Sequence, residues 1–229
     1  MYSIIHLLAV ALPVAARVIP ANKTPQDKGL MGIIFYNHNT NPQHISTDWA
    51  KDDVNQYPDL DWVYTILEPE DHVFIATDPC TSPKFFVSPT PNNRTAEVGS
   101  KRDHDTAVEA TFQGGGDWTY FDVDIEKGFS VPIWCHGHGE EWNSGHGCVN
   151  DLLDECPECS RHYDNDTGIY DQCLPMNTVE DYAMRYRLCP DVYVKHDDDM
   201  TRTIKGHGES ILDLWFSRIV MGLLMTSSP

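Results

Sequence analysis

The sequence predicts an all-β fold, with antiparallel strands first and a smaller Cys-rich region of loops and a short helix after them. Three observations predict it. Ala107 to Phe112 alternates, with Val108, Ala110 and Phe112 on one side and Glu109 and Thr111 on the other. Trp118 to Ile125 alternates in the same way, setting Tyr120, Asp122 and Asp124 opposite Phe121, Val123 and Ile125, as half-buried strands do. The turns Gly114-Gly-Gly116 and Glu126-Lys-Gly128 are too short to hold a crossover helix, so they join antiparallel neighbours.

The chain divides in order. Ile4 to Ala15 is an apolar run ending in the small residues Val14-Ala15-Ala16. It is too short to span a bilayer and has the build of a signal peptide, residues 1–16, although a buried N-terminal strand or helix would read the same way. Residues 17–31 form a leader, and a β core runs over 32–146. Within it Gly32 to Tyr36, Asp61 to Leu67, His72 to Ala76, Lys84 to Val87 and Phe129 to Trp134 are β-branched or aromatic runs bounded by turn residues. Residues 147–189 are the Cys-rich region, 190–206 return to the core, and 207–229 form a divergent apolar tail. Thr178-Val-Glu-Asp181 can cap a helix that Cys189-Pro190 stops. In the tail, Ile211, Trp215, Ile219 and Leu223 fall about four apart, which suits an amphipathic docking helix. Small residues just upstream leave a lipid-anchor signal open as well.

Charge and cysteine content bound the function. The 229 residues carry 35 Asp and Glu against 16 Lys and Arg, a formal net charge of -19. That field repels nucleic acid and anionic membranes. Behind a signal peptide the chain is expected to be secreted and monomeric, with most of its seven cysteines paired. Cys156-Pro-Glu-Cys159 has redox spacing, but the acidic residues before it oppose a thiolate, which favours structural disulfides. Three sequons, at Asn22, Asn93 and Asn165, lie in polar, turn-rich stretches suited to glycosylation.

Three blocks carry a resemblance. The first is Glu109-Ala-Thr-Phe-Gln-Gly-Gly-Gly followed by Tyr120 to Pro132, the second Gly147 to Pro157, and the third Cys189-Pro-Asp-Val-Tyr-Val with Thr201-Arg-Thr. Together they resemble the thaumatin-like proteins over Gly32 to Gly206. The resemblance implies a thaumatin-like antiparallel β-sandwich beside a Cys-rich loop domain, an acidic cleft between them, and a Cys148–Cys189 disulfide. The cysteine count is far below that of the family. Carried over position by position, the cleft residues are Lys84, Glu109, Asp122, Lys127 and Asp198.

Two chemistries follow as expectations. The resemblance implies binding of carbohydrate, with β-glucan or another cell-wall polysaccharide or a cell-surface protein as partner, in defence or host interaction. A β-1,3-glucan hydrolase would need a protonated and an ionised carboxyl, with Glu109 as acid and Asp122 or Asp198 as its partner. Lys127 opposes a raised Glu109 pKa. Separately, His136, His138 and His146 lie in a Gly-rich loop, and the resemblance brings His207 toward them. Imidazoles in that number suit zinc or copper, although a solvent-exposed Gly loop with incidental histidines is the plainer reading. No cofactor is otherwise expected.

Overall fold

Alternate residues of the strands build the core. The computed structural model describes residues 16–20, 31–49, 64–78, 80–91, 104–114, 118–138, 145–195, 204–207 and 211–216. In β2 (Met31–Asn37) the side chains of Met31, Ile33 and Phe35 are buried in the main core. In β14 (Ile211–Phe216) Leu212, Leu214 and Phe216 join them. With β1 (Ala16–Pro20), β5 (His72–Thr77), β9 (Ile133–Gly137) and β10 (His146–Cys148), these strands form one six-stranded sheet in the order β1-β5-β2-β14-β9-β10. The second sheet runs β13 (Ile204–His207), β8 (Trp118–Asp124), β7 (Thr106–Gly114), β6 (Pro83–Ser88), β3 (Gln43–Trp49) and β4 (Tyr64–Leu67). Its alternate residues Ile45, Phe85, Val87, Val108, Ala110, Phe112, Phe121 and Val123 are buried in the same cluster, so the two open sheets share one apolar layer.

The rest of the chain packs at one end of this layer. A two-stranded hairpin, β11 (Arg161–Asp164) and β12 (Ile169–Cys173), is followed by α2 (Val179–Leu188), while a single-turn α1 (Leu152–Glu155) precedes it. Both helices are capped as their sequences allow. Asp151 accepts from Leu153 N at 3.0 Å, and Thr178 accepts from Asp181 N at 3.2 Å, satisfying donors that a helix start leaves open. Cys148 is bonded to Cys189, and Cys156 to Cys173. Cys156 and Cys159 are therefore not a pair, and Cys159 is an exposed thiol.

The expected thaumatin-like, all-β antiparallel sandwich is corrected on three counts. The fold is mixed, with two α-helices among the described residues beside open sheets. It has two disulfides among those residues instead of a disulfide-rich framework. Nor is the first sheet wholly antiparallel, because β14 enters parallel to β2, Ile211 opposite Gly32 and Phe216 opposite Asn37. The disulfide-rich, glycosylated picture falls with the family assignment.

The same strand corrects the tail. Ile211 to Phe216 is not the start of a docking helix but a central strand, antiparallel to β9 on its other edge, and residues 217–229 lie outside the described residues. A central strand covered on both faces is apolar at nearly every position, so residues four apart are filled as readily as in a helix. Gly32 permits the close approach on the far side of β2. Its φ is +151°, and a Cβ there would sit 2.1 Å from the Ile75 carbonyl oxygen.

Candidate functional site

Strand pairing places the acidic residues before any side-chain contact is considered. In the second sheet Asp48 of β3 is opposite Lys84 of β6, Lys84 opposite Glu109 of β7, and Glu109 opposite Asp122 of β8. These residues alternate with core residues and so share the face turned away from the apolar layer. The Lys84 ammonium donates to Glu109 Oε1 beside it and, diagonally, to Asp124 Oδ2 at 2.5 Å. It also lies 5.7 Å from the centroid of the Phe86 ring. Burial alone pulls Lys84 down. The Asp124 and Glu109 carboxylates outweigh that and hold the ammonium above the ordinary lysine range.

The carboxyl groups differ in access. Asp122 and Asp124 are 9% and 6% exposed, whereas Glu109 stands at the surface. Asp124 Oδ1 accepts from Glu126 N at 2.7 Å, which ties the cluster to the following turn. The site is thus one ammonium beside the Glu109, Asp122 and Asp124 carboxyl groups, with Asp48 opposite it on the neighbouring strand. It offers fixed hydrogen-bond acceptors and an anionic surface, suited to hydroxyl donors or cations.

Of the five expected cleft residues, Lys84, Glu109 and Asp122 come together. Lys127 lies in the exposed turn after β8, its carbonyl oxygen 2.6 Å from His104 Nδ1. Asp198 lies outside the described residues, as do Asn22 and Asn93, while Asn165 is in the exposed turn between β11 and β12. Asp124 is the member that the resemblance passed over. Its signal was in the alternation, which sets it on the same side as Asp122.

The histidines are dispersed. His136 is outward on β9, stacked 4.4 Å from the Trp215 ring, with Nδ1 2.7 Å from the Gly137 carbonyl oxygen. His138 Nδ1 is 2.8 Å from Asp213 Oδ2, and the Tyr36 hydroxyl donates to Asp213 Oδ1 at 3.3 Å. His146 pairs with Cys135, a core residue, so it points to the opposite face from His136. His207 is on β13, in the other sheet, opposite Trp118. Among the described residues no group of three or more His, Cys, Asp or Glu gathers to hold a metal ion. What gathers on the outer face of the first sheet is a stack of rings, with Tyr36 5.6 Å from His72 and 5.2 Å from Trp215. Burial, followed by the Asp213 charge and hydrogen bond, pushes the Tyr36 phenol up to about 12.

No family model matches the chain, and neither does any curated protein. A solved structure described as the protein elicitor MoHrip2 from Magnaporthe oryzae is similar over 81% of this chain and 98% of its own, at 9% identity and a TM-score of 0.42. A likeness of that size transfers neither activity nor ligand.

Proposed function

We propose that the chain is a secreted binding protein. Its ligand is a hydroxylated polymer of a cell wall or cell surface, held on the outer face of the second sheet. One observation carries the reading: Lys84 clamps Glu109 and Asp124 beside Asp122 on a sheet face. Carboxylates held in this way accept hydroxyl hydrogen bonds without first losing side-chain freedom. The two disulfides support an oxidising compartment, as does the apolar N-terminal run.

Glucan hydrolysis is the second reading, favoured by the directly opposed Glu109 and Asp122. Opposed side chains on neighbouring strands lie roughly 4.5–5.5 Å apart at Cβ, which sets the two carboxyl groups side by side on one face, as the two-carboxyl attack on a glycosidic bond requires. Against it, Glu109 already accepts from the Lys84 ammonium, whereas a general acid must keep and then donate a proton. Co-sedimentation with insoluble β-1,3-glucan, combined with a reducing-end assay, tests both readings. Binding that falls in Glu109→Gln and Asp122→Asn, with no sugar released, supports the binding protein. Release of reducing ends that is lost in Glu109→Gln supports the hydrolase. Neither binding nor release, or binding indifferent to both substitutions, removes this face from the function.

A further inference from the structure

The outer face of the second sheet changes character from one edge to the other. Asp48, Lys84, Glu109 and Asp122 follow one another across β3, β6, β7 and β8. In β4, the edge strand beside β3, Tyr64 is opposite Ser46 and Ile66 opposite His44. Ser46 and His44 flank the core residue Ile45, so both β4 side chains are on the same side as Asp48.

This end of the face is apolar and wet. Tyr64 is 41% exposed and Ile66 50%. The Tyr64 ring is fixed in place, its hydroxyl 2.7 Å from His44 Nδ1 and its ring stacked on the imidazole at 6.0 Å. Aromatic surface that is both exposed and fixed contacts a ligand at little cost in side-chain entropy.

Charge selects the ligand. Asp48, Glu109, Asp122 and Asp124 share the face with one ammonium, Lys84, and Lys205 is opposite Tyr120 at the far edge. Glu109 gives Oε1 to Lys84, and its side chain is still 47% exposed. The whole chain has a formal net charge of -19. That field repels an anionic polymer and adds nothing to the binding of a neutral one. An ammonium is the group this face already holds, because Lys84 donates to both Glu109 and Asp124.

We infer that the polymer held on this face is a cationic glycan, a chain of amino sugars whose amines are free, as in deacetylated chitin. The inference rests on the outer-face reading above and narrows it to one polymer class. Sugar ammonium groups bind at Glu109 and Asp48, while the apolar side of a ring rests on Tyr64 and Ile66. The chain runs across the strands. From β4 to β7 there are three strand spacings, roughly 14–15 Å, which takes several rings rather than one. A neutral glucan uses the same acceptors and is the weaker ligand.

The test is calorimetric titration of the full chain, in mildly acidic buffer, with the β-1,4-linked glucosamine tetramer, its fully N-acetylated counterpart, laminaritetraose and tetralysine. At low salt the glucosamine tetramer should bind roughly tenfold tighter than either neutral tetramer. The gap should nearly close at about 1 M salt, where the screening length is ~3 Å. Glu109→Gln and Tyr64→Ala should each weaken glucosamine binding by roughly three- to tenfold. Thermal melting of each variant separates lost binding from lost folding. Laminaritetraose bound as tightly as the glucosamine tetramer, with both weakened by Glu109→Gln, would overturn the cationic class and leave the outer-face reading standing. Tetralysine bound equally well, or glucosamine binding unchanged in Tyr64→Ala, would reduce the effect to charge alone and overturn the inference as well. Binding of none of the sugars, or binding indifferent to Glu109→Gln, overturns this inference and the outer-face reading together.

Discussion

Replacing Arg185 with Met should destabilise the protein more than any surface change. Arg185 is 1% exposed. It donates through Nε to Asp181 Oδ1 at 3.0 Å, through Nη1 to the Ile125 carbonyl oxygen at 2.8 Å, and through Nη2 to the Cys173 carbonyl oxygen at 3.4 Å. One side chain thus fastens α2 to the end of β8 and to the disulfide-bonded end of β12. The methionine keeps most of the length and none of the donors. The two carbonyl groups retain other partners, since Gly128 N donates to Ile125 O at 3.3 Å and Phe129 N to Cys173 O at 3.1 Å. Asp181 does not fare as well. It is 4% exposed and keeps the 3.0 Å bond from Met176 N, but loses its cation. Removing one partner of a buried pair costs about 3–5 kcal/mol, and the satisfied carbonyls place Arg185→Met at the lower end, about 3 kcal/mol. For a chain of this size that is a fall in Tm of roughly 6–12 °C. Chemical denaturation and calorimetry measure it. Asp181→Asn combined with Arg185→Met removes the stranded charge and should recover part of the loss. A single variant within ~1 kcal/mol of the parent would refute the reasoning, because the pair would then not be fastening the helix.

Leu214→Ala opens a cavity in the middle of the first sheet and should cost about 2–5 kcal/mol by denaturant titration; a change near zero would mean that β14 is not a core strand. The Tyr36 phenol, raised to about 12, should ionise well above the ordinary tyrosine value of about 10 in an ultraviolet pH titration, and Tyr36→Phe should remove that late step. Between its ordinary value of about 10 and the raised one, the unfolded chain releases the proton first, so stability should fall with rising pH in that window. Lys84 is also raised. As a cation that gains partners, its contribution is complete below the ordinary lysine value and is lost as pH rises through the folded one. The stability gap between the parent and Lys84→Met should therefore stay flat from neutral pH to about 10 and shrink only beyond it. A gap that closes near neutrality would contradict the ion pairs.

Local pattern was legible wherever one face of an element is wet. The alternation at 107–112 and 118–125 marks β7 and β8, and Thr178 marks the start of α2, because each signal is written within a few adjacent residues. Strand β3 carries no such signal. Its polar sequence, QHISTDW, hides a buried row of Gln43, Ile45 and Thr47. The resemblance failed at the level of the fold because its blocks are short turn-bearing strands, and such strands do not specify how the chain between and beyond them pairs.

The sequence by itself determined which residues could share a strand face, and so set Glu109 apart from Phe112 and placed Asp122 and Asp124 on one side. Period-two geometry needs no partner to act. Tertiary structure decided everything that depends on a neighbour's register. It inserted Ile211–Phe216 between β2 and β9, turned His146 away from His136, and gave Lys84 to Asp124 as well as Glu109. Those outcomes turn on pairings between residues distant in the chain, and the apolar runs that form them satisfy several pairings until packing selects one.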